Sequence, residues 1–422
     1  MLQSLVSMRI IAGRARRFPA RRGRWRAFLI ILLVALIPAA YLFGKSQAPE
    51  VPEGAADEFA LYLEAWEAVR EDYVDRSRLD PREQTYGAIR GMLESLGDEG
   101  HTRFLTPEEA RANRDELAGE YVGVGIQVED RDGRVVVSAP IDGSPADEAG
   151  IRPGDVIVAV DGRSVRDMEL NRVVELIRGP EDTGLRLTVE RGGREFTFPL
   201  DRTEIRVPAA SWLMIPGTDA AVLRLAAFSA GAADEVERVM EEAEEAGAGR
   251  FILDLRNNPG GRVDQVPGIA GQFLEPGQVV YIRKDADGRE HEVSVPRRAE
   301  PTRAPVVVLV NEGTASSAEI LAGALQSHGR AKVVGETTFG TGTVLNEFVL
   351  EDGSAILLGV AEWLTPDGRF IREDGIEPDV RAELPEEVRP LTPDESRNLS
   401  REQMLDRDPQ LGRAFEVLQS GS

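Results

Sequence analysis

The sequence predicts a multidomain chain of mixed α/β class, α+β in the order of its parts, and three observations carry that expectation. Helical periodicity dominates residues 58–118. Short β-rich runs separated by glycine turns fill 119–201, and apolar strands alternating with helices fill 202–384. At 422 residues with 42% hydrophobic content, the chain is long enough for separate cores in separate domains.

Residues 1–26 form a basic segment and 27–44, "AFLIILLVALIPAAYLFG", an uncharged apolar stretch of about the length that spans a hydrocarbon core as a helix. Arg14, Arg16, Arg17, Arg21, Arg22, Arg24 and Arg26 all precede it. The positive-inside rule then keeps the N-terminus cytoplasmic and exports the rest, as a single-pass protein of the cell membrane with an extracytoplasmic body. A cleaved signal peptide is the alternative, against which stand the long apolar region and the lack of a small-x-small cleavage site.

Residues 45–57 read as a Pro, Ala and acid linker. A helical segment follows over 58–118. Phe59, Tyr62, Leu63, Trp66, Val69 and Tyr73 recur at helical spacing. Asp80, Pro81 and Glu83 supply an N-cap, an N1 proline and a capping acid for a second helix through Ile89, Met92, Leu93 and Leu96, stopped at Gly97. The loop "GDEGHTRFLTPEEA" leads to a third helix, capped at Thr106.

Over 119–201 the runs "YVGVGIQVED", "RVVVSAP", "DVIVAVDG", "LRLTVERGG" and "REFTFPL" read as strands, with one helix at Met168–Ile177. Through "GSPADEAGIRPGDVIVAVDGRSV" and the glycine loop before it, this module resembles a PDZ domain. The resemblance implies that the loop Tyr121, Val122, Gly123, Val124, Gly125 and Ile126 captures a peptide's terminal carboxylate while the peptide adds to a sheet edge. The partners implied are protein or peptide substrates with free C-termini.

Over 202–384, "AAVLRLAAF", "RFILDL" and "APVVVLV" read as buried strands of a mixed or parallel sheet, alternating with helices at Ala232–Ala246, up to Leu274 and at Ser316–Gln326. Strand ends feeding glycine-rich loops and helix N-termini are where such sheets place chemistry. The tail 385–422 is rich in proline and charge and ends in a short helix at Gln410–Leu418.

Four motifs, "LDLRNNPGG", "VNEGTASSAEILAGALQ", "VVGETTFGTGTV" and "WLTPDGRFIREDGIEPD", resemble those of the C-terminal processing (tail-specific) serine peptidases, which carry an inserted PDZ domain. The likeness covers nearly all of the chain after the apolar stretch and implies a ClpP/crotonase-like α/β protease core. By motif position the nucleophile falls on Ser316. A helix N-terminus there offers free N–H groups to a developing oxyanion, and the Ser317 N–H with Gly260 and Gly261 are the donors implied. Taken alone, without the other motifs, Ser316 reads first as a helix N-cap.

The sequence departs from that family at the base. The family's lysine falls on Thr341 and its glutamine on Leu345, and neither accepts a proton at neutral pH. The lysines are Lys45, Lys284 and Lys332, none inside the motif. The related tricorn and retinoid-binding-protein branch has an Asp-x-x-His-like element ahead of its core, and tricorn's histidine serves as base; here "LGDEGHTRF" places His101 in that role. An imidazole titrates near neutrality and can return the proton to a leaving amine. Asp98, Glu373 and Asp374 are the candidate orienting acids. His328 lies about 18 Å along its helix from Ser316, and Glu319 suits the helix dipole. Thr341 and Thr343 hold the glycine loop near the site.

The function expected is a membrane-anchored serine endopeptidase with PDZ-assisted recognition of C-terminal tails. A catalytically inactive PDZ-bearing scaffold or regulator is the alternative, and a small-molecule binder like the retinoid-binding relatives a third reading, against which "NPGG" and the PDZ module stand. No cofactor is expected. The three histidines, His101, His291 and His328, have no metal-ligand spacing, and no cysteine is present. Residues 1–45 carry eight arginines and Lys45 without an acid, which leaves −32 on the remainder against −23 overall, a charge that repels nucleic acid.

Overall fold

The computed structural model describes residues 54–98, 101–131, 133–141, 143–166, 168–385 and 388–420. The expected membrane segment at 27–44 lies outside them; among the described residues no helix is long and apolar enough to cross a membrane. The chain divides into two units, 1–83 and 84–422.

In the first unit, α1 (Ala56–Asp72) buries none of its residues, and its last turn leads to a short 3-10 turn at Arg76–Arg78 capped by the Asp75 carboxylate. α2 (Pro81–Glu94) starts as expected: Asp80 Oδ1 accepts the Arg82 and Glu83 N–H groups.

The second unit takes in the rest of α2, whose Tyr86 and Leu93 pack with Phe104. After β1 (Arg103–Leu105), the Thr106 hydroxyl and Glu109 close a reciprocal capping box on α3 (Pro107–Ala118), which Gly119 ends in a left-handed conformation. β2 (Glu120–Gly123) then opens an inserted module: β3 (Ile126–Arg131), β4 (Arg134–Pro140), α4 (Pro145–Glu148), β5 (Val156–Val160), β6 (Arg163–Ser164), α5 (Leu170–Ile177), β7 (Gly184–Arg191) and β8 (Arg194–Asp201), closed by β9 (Thr203–Arg206). Its sheet runs β3-β4-β5-β7-β8, with β3 at the edge, over a core of Val137, Val173, Leu187 and Val189. β2 and β9 pair antiparallel, so chain entry and exit form one ribbon.

The main sheet is built from β10 (Ala210–Met214), β11 (Ala220–Leu225), β12 (Arg250–Asp254), β15 (Val306–Val310), β16 (Lys332–Gly335) and β19 (Val380–Arg381) in that order; all neighbours are parallel except β10 with β11. Along it come α6 (Ala232–Glu245), α7 (Val266–Ala270), the hairpin β13 (Val279–Asp285) and β14 (Glu290–Ser294), and α8 (Ser317–Ser327). α6, α7 and α8 bury their apolar faces with one side of the sheet. A second, antiparallel sheet joins β1, β13, β14, β17 (Thr343–Val349) and β18 (Ala355–Leu364), with β18 pairing β1, β13 and β17. The buried strands read as unbroken apolar runs, as parallel strands covered on both faces do.

The end of the chain has more structure than the one helix expected at Gln410–Leu418. It forms α9 (Pro393–Ser396), α10 (Arg401–Arg407) and α11 (Pro409–Ser420), and Met404, Leu411, Phe415 and Leu418 cover Val222, Ile252 and Leu309 on the sheet's other face. Charge-rich spacing hid this layer, because only one stripe of each short helix is apolar.

Candidate active site

Three loops leave the C-terminal ends of β12, β15 and β16, side by side in the parallel sheet, and meet at Ser316. The first, Asn257–Gly261, is fixed by Asn258, fully buried: its Nδ2 donates to the Leu225 carbonyl and its Oδ1 accepts the Gly260 N–H, each at 2.8 Å. The second is stitched to it by Asn311, whose amide bonds Asn257, by the Thr314 hydroxyl donating to the Leu255 carbonyl, and by the Ala315 N–H donating to Asn258. Gly260 is needed for space: a Cβ there would lie 2.7 Å from Ser316 Cβ and 2.8 Å from the Ala315 carbonyl.

Ser316 itself has φ 53° and ψ −120°, a sharp strand-to-helix turn that a non-glycine residue holds at a cost of about 1–3 kcal/mol. The strain is sustained from the third loop. Glu319, fully buried on the first turn of α8, accepts the Ser316 and Thr341 N–H groups on one carboxylate oxygen and the Gly340 N–H and Thr338 hydroxyl on the other. Thr341 Oγ1 accepts the Ser316 N–H at 3.1 Å. The dipole role read for Glu319 was therefore incomplete; nothing in sequence shows that an acid at the third helical position receives a loop twenty residues away.

The implied oxyanion donors separate. The Gly260 N–H is committed to Asn258. Gly261 and Ser317 lie against each other, the Ser317 hydroxyl donating to the Gly261 carbonyl, and Gly261 packs on the Phe228 backbone.

His101 stands beside the third loop, its ring edge-on to Phe339 with centroids 6.2 Å apart. Its side chain is 12% exposed, and both ring nitrogens are buried without a hydrogen-bond partner. Asp98 Oδ1 lies 3.4 Å from His101 Nδ1; the Asp98 carboxylate also accepts the Thr102 hydroxyl at 2.5 Å and Arg372 at 2.8 Å. Thr102 in turn accepts the Gly359 N–H, which ties the segment to β18. Of the three candidate acids the structure brings Asp98 to the imidazole. Glu373 and Asp374 are exposed, and only their loop backbone reaches the site, the Glu373 N–H donating to the Gly340 carbonyl.

The lysines among the described residues stand apart from Ser316 chemically. Lys332 opens β16, three residues below the loop-bearing end, and is ion-paired with Asp379. Glu362, 2.8 Å from Lys284 Nζ, holds that ammonium above its ordinary range, the wrong direction for a base. His328 donates from Nε2 to the Val279 carbonyl and is structural. Among the described residues no cluster could hold a metal ion.

In the inserted module, a groove of about 260 Å³ runs between the edge strand β3 and α5, lined by Tyr121, Gly123, Val124, Gly125 and Ile126 from the loop and by Ile177 and Arg178. Val122, paired with Glu204 of β9, does not line the groove. Burial pushes the Tyr121 hydroxyl up against the opposing pull of Arg178. The open edge of β3 and the positive φ of Gly125 suit the addition of a peptide strand.

Comparison with known proteins agrees with this architecture. Peptidase family S41 matches residues 219–382, and the PDZ domain matches 136–191. The chain is 34% identical over 367 residues to the carboxy-terminal processing protease CtpA of Bacillus subtilis, covering 86% of this chain and 78% of that protein. It is 32% identical over 368 residues to a protein of Staphylococcus aureus named "Probable CtpA-like serine protease", covering 86% and 73%. The solved photosystem II D1 C-terminal processing protease is 32% identical, with 77% of this chain and 92% of that one covered at a TM-score of 0.43. With a parallel sheet delivering three loops to a strained serine and a groove-bearing module inserted ahead of them, the chain belongs to peptidase family S41, as a PDZ-bearing serine peptidase of the carboxy-terminal processing kind.

Proposed function

We propose that this peptidase is anchored in the membrane by residues 27–44, with its body extracytoplasmic, and cleaves protein substrates whose free C-termini the PDZ groove captures. Ser316 is the nucleophile, His101 the general base and Asp98 the acid that orients it. The observation that carries this reading is the imidazole: two buried ring nitrogens without partners, beside the loop that holds the Ser316 amide and next to a carboxylate. A histidine kept only for structure would spend those nitrogens on hydrogen bonds, as His328 does on the Val279 carbonyl and the Gln278 side chain.

In the first step His101 takes the Ser316 hydroxyl proton as Oγ attacks the scissile carbonyl, and the oxyanion is received by the Ser317 and Gly261 N–H groups. The protonated imidazole, stabilised by Asp98, passes the proton to the departing amine. A water then repeats the sequence on the acyl-enzyme.

The test is cleavage of casein and of a C-terminally tagged peptide, with a fluorophosphonate probe to label the nucleophile. Ser316→Ala is expected to abolish labelling and reduce cleavage by about 10⁴-fold or more; cleavage at the wild-type rate by that variant would overturn the assignment. Membrane attachment is read separately, by retention of the full chain in alkali-washed membranes.

Glu319→Gln gives a further expected result. A carboxamide offers one acceptor oxygen where the carboxylate offers two, so its NH₂ faces donors in the loop and two hydrogen bonds are lost. The kcat should fall about 10²-fold with KM little changed, because the strained Ser316 turn loses its support. Single-turnover kinetics with a melting curve checks this.

A further inference from the structure

The two halves of the proposed catalytic pair sit on different parts of the chain, and one side chain joins them. Arg372 is seated on the third loop, the one that supports the Ser316 turn: Gly342 closes against it so tightly that a Cβ there would lie 2.7 Å from Arg372 Cβ, and the next residue's N–H bonds the Gly340 carbonyl. From that seat its guanidinium reaches Asp98 Oδ1 at 2.8 Å, the same oxygen that lies 3.4 Å from His101 Nδ1. We infer that Arg372 is a positioning residue of this peptidase, which locks Asp98 to the third loop beneath Ser316 and offsets the charge that Asp98 presents to His101. The inference rests on the assignment of His101 as base.

Charged groups approach the imidazole from two elements among the described residues. Asp98 comes from its own segment and Arg372 from the loop after β18, while the third loop presents the uncharged Phe339. Lys284, Asp285 and Glu362 line the cavity of about 410 Å³ that Asp98 and Arg372 share, with Lys284 and Glu362 paired to each other. Among the described residues, Asp98 and Arg372 are thus the charged pair placed at the ring. A carboxylate at Nδ1 stabilises the imidazolium, and a cation on that carboxylate opposes it. The base must be neutral to act, so removing the cation moves the acid limb of kcat/KM to higher pH.

The experiment is a pH profile of kcat/KM for wild type, Arg372→Gln, Arg372→Met and Arg372→Lys, with Arg372→Gln also placed in an Asp98→Asn background. Arg372→Gln should move the acid limb up by about half a unit to one unit and lower kcat several-fold. Arg372→Lys should restore most of the wild-type limb, and the shift should shrink when Asp98 is already Asn, because the guanidinium is then no longer held at the ring. Arg372→Met, which keeps the packed stem, gives the same reading if the glutamine variant does not fold. An unmoved limb in both, or an equal shift in the Asp98→Asn background, overturns the inference. Full activity of His101→Ala would overturn the underlying base assignment instead, whatever Arg372 does.

Discussion

His101→Ala should lower kcat/KM by about 10³- to 10⁴-fold while leaving fluorophosphonate-accessible Ser316 folded and in place. The serine proton has few destinations. Where the C-terminal processing family carries its lysine, this chain has Thr341, and Thr341 Oγ1 is occupied in accepting the Ser316 amide. Lys332 and Lys284 are engaged by Asp379 and Glu362. Lys332→Ala and Lys284→Ala should therefore change kcat/KM less than twofold, since exposed ion pairs contribute about 0–1 kcal/mol and touch nothing that reacts. Cleavage assays on the three variants decide the matter: loss of activity in Lys332→Ala with retention in His101→Ala would return the chain to a lysine mechanism.

The second large effect is on stability. Arg256, fully buried at the head of the Asn257–Gly261 loop, is bracketed by two carboxylates: Asp254 takes its Nε and one terminal nitrogen, and Asp408, from the segment between α10 and α11, takes both terminal nitrogens at 2.8 and 2.9 Å. Burial works against every charge here, yet Asp254 is held below the usual carboxylate range by Arg256, and Arg256 is held above its own range by Asp254 and Asp408. Asp408 also accepts the Leu391 and Leu411 N–H groups, so it gathers the C-terminal helices onto the sheet. Asp408→Ala leaves a buried cation half-paired and should cost about 3–5 kcal/mol. Replacing Asp254, Arg256 and Asp408 together by apolar residues, so that no buried charge is left unpaired, should recover part of that loss. Denaturant titrations of the single and triple variants measure both, and a loss below about 1 kcal/mol for Asp408→Ala would show the network to be dispensable.

The alternation of apolar runs and helical periods was enough to foresee the mixed class and the positions of most strands, because each such element obeys a local period. β15 and the helix after Ser316 follow from "APVVVLVNEGTASSAEILAGALQ" almost residue for residue. The capped start at Thr106 was equally readable, since its box closes within four residues. At the site, the serine and the histidine were named from short motifs, with Asp98 one of three candidate acids, but most of their supports were not. Glu319, Asn258 and Asn311 do their work through partners 2 to 54 residues away.

What the sequence alone determined here is the set of local instructions: a serine opening a helix after a buried strand, glycines where chains approach closely, a histidine on a loop ahead of the core, and no lysine at the motif position. What only the tertiary structure decided is which groups meet. It put Asp98 beside His101, gave Asp98 a second partner in Arg372, committed the Gly260 N–H to Asn258 and made a packed layer of the charged C-terminal segment. The reason is physical. Periodicity and capping act over a turn or two of chain, whereas a buried carboxylate or amide must find its partners wherever the packed sheet brings them.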